Sequence, residues 1–152
     1  MSLELIVIAP ASGLPPETRT EVDVVAGHGI VGDRYFHRTP KEPGQQITLI
    51  EAEAIEAYNR AHGTDIPWTL PRRNLVVRGI RLNELVGRQF NLGEVRLQGV
   101  ELCEPCEFFG QRLENPLLSL TQTVAVWIGR GGLRADVLRG GTLRQGDQLI
   151  LD

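Results

Sequence analysis

A mainly β, barrel-like α+β domain with a few short helices is the fold class this sequence predicts, and three observations predict it. Short apolar runs rich in Val, Ile and Leu recur between turns containing Gly or Pro, the pattern of many short strands. One segment alone, "EAEAIEAYNRAHG", carries a strong helix pattern. At 152 residues the chain is long enough to bury one core without crosslinks, which predicts a single domain over 1–152.

Taken in order, Leu3 to Ala9 and Thr20 to Ala26 have the β-branched character of strands, and the turn-rich "PASGLPPE" between them predicts a long-looped hairpin. From Gly27 to Gln46 no periodicity survives, so this segment is predicted to be a long loop, the kind that is usually functional or mobile. Its Gly and Pro stand where apolar anchors would be, which predicts mobility without ligand. A strand at Ile47 to Ile50 leads into the helix, and Gly63 is placed to end it. Asn74 to Arg78 is a further strand, and "LNELVG" a short helical turn.

The stretch "RQFNLGEVRLQGVELCE" reads as two strands about a Leu-Gly-Glu turn, with Val95, Leu97 and Gly99 alternating against Glu94, Arg96 and Gln98. Beyond Pro105 a helix is expected, broken at Gly110 and resumed around Pro116 to Thr121. A strand from Leu133 to Leu138, a Gly-Gly turn and a last strand from Gln148 to Leu151 complete the chain.

Composition narrows the function classes. A net charge of -3 with 41% apolar and 23% charged residues reads as globular, and it argues against a nucleic-acid partner. "MSLELIVIAP" has no basic flank and too short an apolar run to span a bilayer, so neither a membrane role nor a secretory signal is expected, and the default location is cytoplasmic. The two cysteines, three residues apart, cannot frame a secreted scaffold. With Lys41 the single lysine beside 15 arginines, Schiff-base chemistry has almost no candidate on this chain.

Three constellations could carry chemistry. In "CEPC", Pro105 favours a first helical turn, placing Cys106 near the unpaired N–H groups of a helix start while Glu104 and Glu107 oppose a thiolate. A single CxxC supplies two of the four ligands of a structural zinc, and the βαβ surroundings of a thioredoxin-like redox pair are not expected around it. Metal ligand, reactive thiol and small buried filler all stay open on spacing alone. In "GIVGDR", Asp33 would fix a tight turn and Arg34 would be offered to an anion, yet the motif lacks both the P-loop lysine and the dinucleotide glycine pattern. In "PRRNLVV", adjacent arginines entering a strand face opposite ways, so one can point inward only onto a carboxylate, carbonyls or an anionic ligand. Asn74 adds donors and an acceptor beside them.

In order, the segments "GIVGDR", "QITLIEAEAIEA", "RRNLVVRG", "LVGRQFNLGEV", "ELCEPC" and "GGLRADVLRGGTLRQGD" resemble the MOSC family, the domain named after the C-terminal part of molybdenum cofactor sulfurases. The resemblance covers most of the chain. It implies a mostly β, barrel-like fold and a cysteine, matched by Cys106 after Pro105, that binds the metal or sulfur of the pterin-based molybdenum cofactor. Cys103 matches a less regular position. Arg34, Arg73 and Asn74, with Asp33 fixing the loop, match the groups that hold the cofactor's phosphate and pterin.

Two roles are implied. One is a molybdenum-dependent oxidoreductase acting on N-hydroxylated or similar small molecules. The other is a non-catalytic carrier that takes sulfur from a donor such as a cysteine desulfurase and holds it as a Cys106 persulfide. A soft thiolate suits a sulfur-rich molybdenum centre and a planar guanidinium suits a phosphate. Two departures stand out. Gln45 occupies the place where the family often has an Arg before the Gln of its "QxTL" segment, and the pyridoxal-phosphate domain of the sulfurases is missing, so no pyridoxal phosphate is expected here.

Overall fold

A computed structural model describes residues 1–113 and 115–152. Eight strands form one sheet: β1 (Ser2–Ile8), β2 (Glu17–Arg19), β5 (Ile47–Glu51), β6 (Leu75–Arg78), β7 (Gln89–Leu92), β8 (Val95–Leu102), β9 (Leu133–Arg139) and β11 (Leu149–Leu151). Their order is β11-β7-β8-β9-β5-β6-β1-β2, and a smaller sheet is ordered β10-β3-β4, from β10 (Gly141–Arg144), β3 (Glu21–Val25) and β4 (Gly29–Ile30). Among the described residues the ladders do not close into a barrel. A bridge between Ser2 and Gln148 does bring the start of β1 to the start of β11. The class is the α+β fold expected, mostly strands with three helices: α1 (Ala52–His62), α2 (Glu107–Arg112) and α3 (Leu120–Trp127).

The two apolar clusters explain the central strands. Leu49, Leu75 and Val77 point into a core shared with Leu3, Ile6, Phe90, Leu97 and Leu133. Their neighbours Ile50 and Val76 point the other way, onto Ile55 and Tyr58 of α1, Phe109 of α2 and Trp127 of α3. Strands buried on both faces carry continuous apolar runs, which is why "ITLI" and "LVV" lack alternation. β8, buried on one face, alternates as expected. Gly63, at φ 62°, ends α1 in the left-handed conformation that glycine adopts without a Cβ penalty.

The pairing of the N-terminal strands differs from expectation. β1 pairs with β2, drawn from the connecting segment, and with β6, while β3 pairs with β10 and β4. The three residues of β2 are all exposed, so no hydrophobic alternation marked them as a strand. β10 was hidden behind Gly140 and Gly141, whose turn places it against β3. Among the described residues one parallel pair exists, β5 and β6, joined through α1.

The helix after Pro105 also departs from the expected form. α2 runs through Gly110 and ends at Arg112. Gly110 is retained because a Cβ there would meet Val124 and Leu120 of α3 at 2.7 and 2.9 Å, so the glycine serves close packing and breaks nothing. α3 starts later and extends further than expected, behind a capping box in which the Ser119 Oγ accepts from Gln122 N at 3.1 Å and Gln122 Oε1 accepts from Ser119 N at 2.9 Å.

The 27–46 loop is held by polar ties. Arg34 N donates to Ala9 O at 2.9 Å, Gly44 N to Asp136 Oδ1 at 2.8 Å, and the single lysine, Lys41, donates Nζ to the carbonyls of Phe36 and Arg38. No helix among the described residues is long and apolar enough to cross a membrane.

Candidate functional site

One cavity of about 620 Å³ is lined by the segment after β1 (Ala9, Ser12), the 27–46 loop and the start of β5, the Arg72 to Asn74 approach to β6, the Cys103 to Arg112 segment, and Arg134 of β9. Asp33, Arg34, Arg73, Asn74, Cys103 and Cys106, all named from the sequence, line it together. The volume falls in the range of small-molecule sites.

The two cysteines are unequal. β8 ends at Leu102, and Cys103 N donates to Gly132 O at 2.7 Å, which turns its side chain into the interior at 4% exposure. Cys106 is exposed at the cavity rim, and both thiols are free. The helix-start expectation for Cys106 shifts by one residue. Cys106 is the N-cap of α2, in extended conformation, and Pro105 precedes it, so the proline stands just outside the first turn. The Cys106 carbonyl accepts the first helical bond, from Gly110 N at 2.9 Å. No group of three or more metal-ligating side chains occurs among the described residues, so a closed protein-only zinc site has no ligand set there.

Three of the residues named from the sequence direct their polar atoms inward. Asn74 Oδ1 accepts from Thr48 N and Thr48 Oγ1 at 3.0 and 3.1 Å, and its Nδ2 donates to Val7 O at 3.2 Å and Asp33 Oδ1 at 3.5 Å. Asp33, buried at 6% exposure, accepts from Ala9 N at 2.9 Å and Tyr35 N at 3.3 Å. It thereby fixes the loop, as its motif implied. Arg73 donates Nε to Gly131 O at 2.8 Å and a terminal nitrogen to Cys103 O at 3.3 Å, with its guanidinium 4.7 Å from the Phe109 ring centre. Of the partners that could draw one of the paired arginines inward, the structure supplies carbonyls. Burial lowers the Arg73 pKa, and Arg112 and Arg134 add repulsion.

Arg34 remains available, and it has company that the sequence reading did not name as site residues. Arg34 and Arg72 each hold a buried Nε without a partner among the described residues, although a terminal nitrogen of each is bonded, Arg34 to Tyr35 Oη at 2.9 Å and Arg72 to Leu14 O at 2.8 Å. Arg72 is also the single non-glycine residue with positive φ among the described residues, at 61°, a conformation that costs about 1–2 kcal/mol. Arg112 joins them from the last turn of α2, its pKa lowered first by burial and then by repulsion from Arg72, with Arg34 contributing. An arginine in "EFFGQR" reads as solvated surface; the signal that could have flagged it is its place on the helix that Cys106 caps. Gln45, standing where an Arg is frequent, accepts from Glu42 N at 2.9 Å and closes a turn beside the cavity.

The geometry thus joins the expected α+β fold to a cysteine segment that faces an arginine-lined cleft. The chain belongs to the MOSC domain family: the family model, described as MOSC domain, matches residues 33–150. That family is associated with the molybdenum cofactor. In fold the chain is similar to the YuaD protein of Bacillus subtilis, with a TM-score of 0.83 and 22% identity over 97% of this chain and 93% of that one. It is similar also to YiiM from Geobacillus stearothermophilus, with a TM-score of 0.73 and 16% identity over 99% and 74% of the two chains. YiiM from Escherichia coli gives a TM-score of 0.69 and 16% identity over 100% and 70%. No curated protein matches by sequence.

Proposed function

We propose that this chain binds the molybdenum cofactor, or a sulfurated form of it, in the arginine-lined cleft, with Cys106 as ligand to the metal or its sulfur. The observation that carries this reading is that one exposed thiol and several guanidiniums, two with unpartnered buried Nε atoms, line a single cavity. This donor set fits a group that is soft at one end and phosphate-bearing at the other. When bound, the molybdenum would supply oxygen-atom transfer, for instance to reduce N-hydroxylated small molecules. The chain's own part is to bind and orient: Arg34, Arg72 and Arg112 face the phosphate, Arg73 and Asn74 hold the walls, and Cys103 stays buried behind the rim.

Elemental analysis of protein purified from a host competent to make the cofactor tests this. Near-stoichiometric molybdenum in the natural sequence, and its loss in Cys106→Ala, is the expected result. Absent molybdenum, or a content unchanged by the substitution, overturns it.

The exposure of Cys106 favours a second reading, a sulfur carrier. Its thiolate would attack the terminal sulfur of a donor persulfide, such as that of a cysteine desulfurase, forming a new S–S bond, leaving a Cys106 persulfide and releasing the donor's thiolate. Mass spectrometry after exposure to the donor should then find one stable added sulfur, absent in Cys106→Ala.

A further inference from the structure

We infer that the ligand of this cleft carries two phosphate groups, seated along an arc of arginines of which Arg34, Arg72 and Arg112 hold the first. This deepens the cofactor reading and rests on it for the identity of the cleft. The chain as a whole is net negative at -3, yet the cleft is lined by Arg34, Arg38, Arg72, Arg73, Arg112 and Arg134 against one carboxylate, Asp33, which is already bonded to main-chain N–H groups. Such a concentration of one sign focuses a positive potential in the cleft that a multiply charged anion would answer.

The arc is continuous. Arg38 and Arg34 lie over the same Tyr35 ring, at 5.6 and 4.6 Å from its centre. All six line the same cavity, and Arg112 lies within electrostatic range of Arg34, Arg72 and Arg73, as Arg73 does of Arg134. Of the six, Arg73 is committed to carbonyls, and Arg134 has a loose ion pair with Glu101 at 3.8 Å. Arg34, Arg38, Arg72 and Arg112 have no ion pair among the described residues.

Donor arithmetic then separates one phosphate from two. A guanidinium presents a two-toothed fork, so three of them supply about six N–H donors, which saturate the three terminal oxygens of one phosphate ester. Arg34, Arg72 and Arg112, all lining the cavity, suffice for that phosphate. Arg38 at one end of the arc and Arg134 at the other remain, and a second phosphate gives at least one of them a partner.

Calorimetric titration of the cofactor-free chain with inorganic phosphate, inorganic pyrophosphate and a nucleoside 5′-diphosphate tests this without molybdenum and without Cys106, so it fails or succeeds separately from the metal analysis above. Pyrophosphate is expected to bind at least about tenfold more tightly than phosphate, and to weaken by about tenfold or more in Arg112→Gln and in Arg34→Gln, while Arg144→Gln on distant β10 has no effect. Tighter binding of the nucleotide than of pyrophosphate assigns the two phosphates to a nucleotide-bearing ligand, and equal binding to any diphosphate ester. Equal affinity for phosphate and pyrophosphate overturns the inference even if every variant fails to fold. So does pyrophosphate binding that the Arg112 and Arg34 variants, folded by circular dichroism, leave unchanged.

Discussion

The guanidinium of Arg73 donates to the main-chain oxygen of Cys103 at 3.3 Å, so the segment that carries the exposed thiol is tied to the approach of β6. The same side chain holds Gly131 O at 2.8 Å, on the segment entering β9. Arg73 is therefore a clamp between three segments. Removing it in Arg73→Ala leaves two carbonyls without their charged donor and should cost about 2–3 kcal/mol, read as a lower urea midpoint with an unchanged slope. Arg73→Lys, with one compact donor group in place of a fork, should recover only part of that.

The contrast between the cysteines gives a count. In the native protein a dianionic aromatic disulfide reagent should modify one thiol, Cys106, and reach Cys103 only on unfolding, because Cys103 is buried. The arginines beside Cys106 should draw that reagent in, so its rate should fall with added salt while that of a neutral reagent should not. Mass spectrometry of digested protein identifies the residue, and equal labelling of both thiols would contradict the burial of Cys103.

Glu51 sits at the N-cap of α1 with its pKa raised, chiefly by burial, while its bond from Leu82 N at 3.1 Å opposes the rise. A carboxyl raised in the folded state binds its proton more tightly there than in the unfolded chain. Stability should then decline as pH rises from the ordinary glutamate range through the elevated folded value. Glu51→Gln keeps an acceptor for Leu82 N and should flatten that decline, so the variant's melting temperature should equal or exceed that of the natural sequence at pH 7. A lower melting temperature at pH 7 with the same slope would refute the assignment.

Asp33 ties the long loop to the end of β1 through Ala9 N. In Asp33→Ala that tie is lost, and trypsin should cut faster at Arg34, Arg38 or Lys41, as peptide mapping over a time course would reveal. The fold itself should persist, since the loop adds only Ile30 to the main core.

What could be read from residues alone follows the range of the forces involved. α1 was legible because its helix formers and Gly63 act within a few residues, and β8 because a sheet face alternates. The partner of β1 was not, because strand pairing joins distant segments and Glu17–Arg19 has no buried face to announce it. Cys106 and Arg34 were legible from their motifs, and the structure places them at one cavity. Arg72 and Arg112 were missed for another reason: an arginine on a turn or short helix looks the same in sequence whether it faces water or a cleft. Arg73 and Asn74, expected from the resemblance to hold a ligand, line the cavity, and only three-dimensional contacts reveal that their polar atoms answer the backbone.

The near absence of lysine has a consequence for how this cleft can be controlled. Guanidinium groups hold their protons across every pH a cell experiences, so the cleft's positive potential is a constant of the molecule. Acidification or a lysine-acetylating enzyme would leave it untouched. The phosphate end of the site can then be tuned only from the ligand's side, by how many of its own phosphate protons are gone, or by competing anions and salt.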